Sequence, residues 1–178
     1  MGGDDKVPAL HKSDSSSLLL ALEYLKSVKV TVMGGGIIIS LLNSYNFQEI
    51  RVIERNFKKA YLTRRLKGVD VVMGGYRYGE QKEVAIAASE LGMPFITYPL
   101  ITTILPDGIS FEDIKFPFGT NSVEGTIPDT LIRTLQVIEL IKVFTGIGEP
   151  FFPPKARGVV FDPPTLDFKV TKMMLTVR

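Results

Sequence analysis

Val28-Lys29-Val30-Thr31-Val32-Met33-Gly34-Gly35-Gly36, followed by an apolar run from Ile37 to Leu42 and then by Glu49-Ile50-Arg51-Val52-Ile53-Glu54, decides the fold. The order is strand, glycine turn, helix, and a second strand closed by a carboxylate. That is the layout of a mononucleotide-binding half of a Rossmann sheet. Glycine suits the turn for two reasons: the chain leaves the strand sharply, and a phosphate reaches backbone N–H groups only where no Cβ stands in the way. Glu54 lies about 20 residues on, where such folds receive ribose hydroxyls. Gly34, Gly35, Gly36 and Glu54 are therefore candidate nucleotide-binding residues. Ile39 occupies the position of the third glycine in G-x-G-x-x-G, which implies a wider or tilted helix entry. Three glycines after a buried strand also occur as a plain βαβ turn, so the phosphate-binding and structural readings both stand.

The chain has 178 residues, enough for one full core and too few for two ordinary domains. Hydrophobic residues make up 45% and charged residues 22%, the balance of a soluble globular protein. With no cysteine, disulfides, thiolate zinc sites and a cysteine nucleophile are all excluded. Leu18 to Leu22 and Ile37 to Leu42 are far shorter than the roughly 20 residues that cross a bilayer, and no signal peptide is read at the start. The expected location is cytoplasmic, with no membrane span.

Net charge is +2, unevenly spread. Arg51, Arg55, Lys58, Lys59, Arg64, Arg65 and Lys67 face the single acid Glu54, which leaves +6 in that stretch and −4 elsewhere. Such a cluster suits phosphates, an acidic partner or nucleic acid, although a solvated helix face has the same composition. Nucleic acid is the least favoured of these partners.

Along the chain, residues 1–13 read as a loose polar arm. Residues 14–178 read as one continuous Rossmann-like domain. Ser13 and Asp14 are good caps for a helix reaching about Ser27, with Leu18, Leu22 and Leu25 on one stripe and Leu19 beside it. The helix after the glycine turn runs to about Asn46. Phe57 to Leu66 is a basic amphipathic helix stopped by Gly68, Val69 to Met73 a short buried strand, and Gly74-Gly75 a turn. Glu80 to Leu91 reads as a helix with Gly92 as its cap, and Pro94 to Tyr98 as a strand. Alternating strands and helices mean an α/β fold, a mostly parallel sheet with helices on both faces. Pro99 to Thr126 is read as an irregular excursion with turns at Pro106-Asp107-Gly108, Pro117 and Gly119. A long helix resumes at Pro128 and reaches Phe144. Arg157 to Phe161 and Leu166 to Val177, around Pro163-Pro164, read as an antiparallel strand pair at the sheet edge.

These residues resemble a family. Thr134-Leu135-Gln136-Val137-Ile138-Glu139-Leu140-Ile141-Lys142-Val143-Phe144-Thr145-Gly146, with Phe161-Asp162 and Leu166-Asp167-Phe168-Lys169 beyond, is similar to the C-terminal part of the ThiF/MoeB/HesA superfamily of ubiquitin-activating-type adenylating enzymes. There a comparable helix reads roughly S-L-Q-A-x-E-x-I-K-x-L-T-G. Val69-Asp70-Val71-Val72-Met73 and Ala85 to Pro94 resemble the family's "A-D-L-V-V-D" strand, its helix and its "G-I-P" entry. The resemblance covers about three quarters of the chain. It implies a fold that uses ATP and magnesium to adenylate the C-terminal glycine of a ubiquitin-like or sulfur-carrier protein. On that basis Gly34 and Gly36 fall on the phosphate turn, Glu54 on the ribose acid, and Lys59 on the phosphate-contacting lysine of the K-A-x-x-x-x-R-L helix.

Several family features are missing. The D-A-T-D-N segment aligns with Gly74-Gly75-Tyr76-Arg77-Tyr78, which places Arg77 where an acid serves magnesium. A guanidinium has donors and no acceptor, so it cannot ligate a cation, and no metal site is expected. The N-L-N-R-Q segment is absent, as is the strand that follows the R-L helix. The expectation is a shortened, catalytically degenerate relative that binds ATP or another adenine nucleotide through Gly34, Gly35, Gly36, Glu54, Lys59 and Arg77. It would act as a binding or non-catalytic subunit in a homodimer, or in a heterodimer with a relative. Loss of a central strand would leave Val71, Met73, Phe95 and Leu135 short of cover and drive that pairing. An active adenylyltransferase with a rearranged site and an NAD- or NADP-binding regulatory or redox module are the rival readings. His11, the acids Asp107, Glu112 and Asp113, and Phe151-Phe152-Pro153-Pro154 carry weaker signals: an arm residue, turn formers, and loop packing.

Overall fold

Strands buried on both faces need apolar side chains at every position, and their alternate residues then belong to two different cores. A computed structural model shows that arrangement. It describes residues 15–75, 77–116, 126–162, 165 and 167–178. The expected arm 1–13 with His11, the cap pair Ser13 and Asp14, the turns at Pro117 and Gly119, and Pro163-Pro164 lie outside the described residues.

Four parallel strands, β1 (Lys29–Met33), β2 (Glu49–Ile53), β3 (Val71–Met73) and β4 (Phe95–Ile96), and an antiparallel fifth, β5 (Thr103–Ile104), form one sheet in the order β2-β1-β3-β4-β5. Val30, Val32, Val71, Met73 and Ile96 pack under α1 (Ser15–Leu25), α2 (Ile37–Asn43) and α5 (Thr126–Thr145), whose inward residues include Leu25, Leu42 and Leu140. Met33, Val72 and Phe95 point the other way, against Leu62 and Leu66 of α3 (Lys59–Leu66) and Val84 and Ala88 of α4 (Tyr78–Glu90). The fold is thus α/β, mostly parallel, with helices on both faces.

Glycine at positive φ ends three of these helices: Gly68 (φ 74°) follows α3, Gly92 (φ 75°) follows α4 and Gly146 (φ 68°) follows α5. Arg51 finishes the first of them from outside. Its guanidinium donates to the carbonyls of Arg65 and Lys67 (3.0 and 2.8 Å) and forks onto Glu49 (2.7 and 3.0 Å). The hydrogen bond from Arg51 holds the Glu49 carboxyl below its usual range. Part of the basic cluster is therefore structural.

Several expectations are corrected. Of the stripe Leu18, Leu22 and Leu25 expected on α1, Leu25 is buried and Leu22 packs against the core, but Leu18 does not. Ala21 is buried as well, while Leu18, Leu19 and Leu20 are 50%, 64% and 72% exposed. The excursion after Pro99 contains β5, a 3-10 turn at Phe111–Asp113 and β6 (Ile114–Lys115). The C-terminal strands β7 (Lys155–Asp162) and β8 (Asp167–Met174) pair antiparallel, but as a separate two-stranded ribbon, bridged to Ile101 through Arg157 and packed on the two cores through Ala156 and Val159. The chain then turns into β9 (Thr176–Val177), which pairs with β6. Val71, Met73, Phe95 and Leu135, expected to be short of cover, are at most 9% exposed. Helices of the same chain cover them, so the stated physical reason for a dimer falls away.

Candidate functional site

The connection after β1 runs outward to β2, and the connection after β3 runs the opposite way to β4. A crevice must open between the carboxyl ends of β1 and β3, where the strand order reverses. A cleft of about 420 Å³ lies there, within the size range of small-molecule sites. Its polar lining is Gly34, Glu54, Arg55, Gly75, Arg77 and Glu80, and Met33, Ile53 and Phe57 supply the apolar part.

Each polar group is placed by its element. Gly34 has φ 85° and donates its N–H to the Ile53 carbonyl at 3.0 Å, which ties the ends of β1 and β2 together. A Cβ added to Gly35 would lie 3.6 Å from Glu54 Oε1, so the Glu54 carboxylate stands beside the glycine turn. Gly36 (φ 71°) begins α2. Gly75, two residues past the end of β3, lies against the end of β1. A Cβ there would sit 2.7 Å from Met33 Cβ and 2.9 Å from the Met33 carbonyl oxygen. Gly75 therefore answers that close approach and Gly74 the packing of the Gln81 side chain, while Gly34 and Gly36 answer a backbone turn.

Of the sequence-derived candidates, Gly34, Glu54 and Arg77 meet in the cleft, and Gly35 stands against Glu54. Gly36 is exposed and outside the lining. Lys59 does not line the cleft; its side chain is 71% exposed and its ammonium pairs with Glu90 at 2.6 Å, at the far end of α4. Arg77 precedes α4 and pairs with Glu80 at 3.2 Å while remaining 78% exposed, so its guanidinium is held at the mouth by a weak, solvent-screened contact. Among the described residues no group of three or more His, Asp or Glu side chains is gathered for a metal ion.

The sequence reading missed the support behind the cleft. Arg133 of α5 is fully buried and donates to the carbonyl of Gly74 (2.8 Å) and to Gln136 Oε1 (2.9 Å), with the Met33 carbonyl at 3.4 Å. Its guanidinium lies 4.3 Å from the Tyr98 ring, and the Tyr98 hydroxyl donates to Asp129 at 2.8 Å. Gln136 donates to the carbonyls of Gly74 and Ile96, both at 3.1 Å. Gln81 of α4 clasps the backbone of Tyr98, donating at 2.6 Å and accepting at 3.1 Å. These side chains bind carbonyls at the ends of the central strands, where the ladder stops and buried acceptors would otherwise lack partners. The available signal was Arg133 itself, a guanidinium set among Leu131, Ile132 and Leu135 on an apolar helix.

Neither a protein-family model nor a curated protein sequence matches the chain. Solved structures share its fold. Selenomethionyl PaaA superposes with a TM-score of 0.61 at 11% identity, over 98% of this chain and 77% of that one. Escherichia coli MccB superposes in two crystal structures. One, with AMPCPP and MccA, has a TM-score of 0.62 at 11% identity over 90% of this chain and 67% of that one; the other has 0.61 at 12% over 90% and 66%. No described helix is long and apolar enough to cross a membrane.

Proposed function

We propose that this chain is a distant relative of the ThiF/MoeB-type adenylating enzymes that binds an adenine nucleotide, ATP among them, in the switch-point cleft and serves as a binding or non-catalytic subunit. The observation that carries this reading is the convergence of the Gly34 turn, the Glu54 carboxylate and the Arg77 guanidinium in one cleft. Glu54 beside Gly35 suits ribose hydroxyls, and Arg77 suits phosphate oxygens, to which a guanidinium donates two parallel hydrogen bonds. The fold shared with MccB, an adenylating enzyme of the ThiF/MoeB type seen with AMPCPP, supports the nucleotide class. A ubiquitin-like or sulfur-carrier protein, and a second subunit of the same kind, are the partners this reading implies.

Arg77 in place of a metal-binding acid argues against adenylation, because the developing charge on the phosphates then lacks a cation bridge. Calorimetric titration with ATP, AMP, NAD and NADP, with and without magnesium, tests the proposal. Adenine nucleotides are expected to bind with or without magnesium, and Glu54→Ala and Arg77→Ala each to weaken them. Magnesium-dependent ATP–pyrophosphate exchange would overturn the non-catalytic reading, and preference for NAD or NADP would turn the cleft into a dinucleotide site.

A further inference from the structure

The hairpin of β7 and β8 carries a feature unrelated to the cleft and shares no lining residue with it. Arg157 spends both its backbone groups on Ile101, accepting at 2.7 Å and donating at 2.9 Å. Its cross-strand neighbour Lys172 is therefore in a pair that is not hydrogen-bonded, and Lys172 turns its own N–H and C=O away from β7. By the two-residue period of a strand the same holds for Val170 and Met174. Among the described residues no strand covers that side of β8, and the Lys172 carbonyl meets only the hydroxyl of its neighbour Thr171 at 3.3 Å.

The side chains on this edge point to one kind of occupant. Val170 is 52% exposed and Met174 71%, apolar surface that the chain's own core leaves open. Lys155, Arg157 and Lys172 surround them, with Glu149 as the nearby acid, 3.5 Å from Lys155 and largely in solvent. A hollow of about 250 Å³ at the Lys172 end is lined by Pro150, Phe151, Met173 and Met174 with the cations Lys155 and Lys172 and the single acid Glu149. Lysine on a bare edge commonly guards against self-pairing, and here a second copy would bring the same cations to the same place. The guard that rejects a copy attracts a strand of opposite charge.

We propose that the outer edge of β8 adds an extended acidic peptide strand from another protein. Its backbone pairs with Val170, Lys172 and Met174, an aliphatic side chain enters the hollow at Phe151, and its carboxylates lie against Lys155 and Lys172. Main-chain pairing supplies the affinity and alternate side chains the selectivity.

Fluorescein-labelled Glu-Thr-Val-Thr-Glu-Thr-Glu, which carries its carboxylates and its valine on one face, is the probe, read by anisotropy against the full chain. Expected are binding that weakens with salt, none for the peptide with lysine in place of each glutamate, and a loss of about tenfold or more for Lys172→Glu and Lys155→Glu. A probe N-methylated on alternate amides is expected to lose binding as well, which charge attraction alone would not do. Amide NMR shifts should centre on Val170, Lys172 and Met174. No binding, equal binding of the N-methylated probe, unchanged binding by Lys172→Glu, shifts confined to Gly34 and Gly75, or sedimentation showing a second copy on this edge would each overturn the proposal.

Discussion

Gly75 and Arg133 set the cleft from opposite sides, one by having no side chain and the other by having a long one. Gly75→Ala would press a Cβ to 2.7 Å from Met33 Cβ, with backbone rather than a movable chain end also in the way. Overpacking of this kind costs about 1–3 kcal/mol, and urea denaturation should show it. Gly79→Ala, where an added Cβ meets nothing within 4 Å, should not lose stability. Arg133→Ala removes the donor to the Gly74 carbonyl and leaves Asp129 without its charged neighbour at 3.6 Å. A loss of about 3 kcal/mol or more is expected, as for other buried charges deprived of a partner. Lysine at position 133, a single ammonium in place of a fork, should restore only part of it. The sequence disclosed Gly34 and Glu54 because a turn and a strand end have local signatures. It did not disclose Arg133, whose partners lie 59 and 100 residues away. Lys59 matched a motif letter for letter and stands outside the cleft, since the motif fixes a position on α3 and not the direction in which the side chain turns.

At the scale of elements, α5 is the most informative helix. The letters that carried the family resemblance, Gln136 and Glu139, are buried polar anchors: Gln136 holds strand ends, and Glu139 accepts from the Phe151 backbone N–H and from the Thr103 hydroxyl at 3.2 Å. Burial raises the Glu139 carboxyl above its ordinary value of 4.5, with those hydrogen bonds and Lys142 working the other way. The folded state then holds this proton more tightly than the unfolded state, so the contribution is greatest below the ordinary value and is lost as pH rises through the raised one. Melting temperatures of the protein and of Glu139→Gln, compared from acid to neutral pH, should show the glutamine variant gaining relative to the parent as pH rises. A constant difference would place the titration elsewhere. Helices and parallel strands were legible because their apolar spacing is local. β5 was not, being two residues long with its partner set by a turn, and the hairpin's detachment from the sheet was invisible because strand pattern reports pairing and not the partner sheet.

Across the whole molecule, protection should follow burial. Amide exchange is expected to be slowest in β1 and β3, covered on both faces, and fastest in β8, whose outer edge is open. Mass-spectrometric exchange on peptides spanning Lys29–Met33 and Asp167–Met174 checks the order, and equal rates would refute it. Among the described residues the five-stranded sheet does not call for a dimer, because Val71, Met73, Phe95 and Leu135 are enclosed by their own chain; any subunit pairing would have to draw on other surfaces. The reach of α5 back to the first strands also concerns how the protein is made. Residues that shape the cleft have left the ribosome by Glu80, yet the carbonyls behind it find their donors only when Arg133 and Gln136 arrive. During synthesis the pocket is spelled early and completed late, and the half-made chain must keep its strand ends wet until the last long helix closes over them.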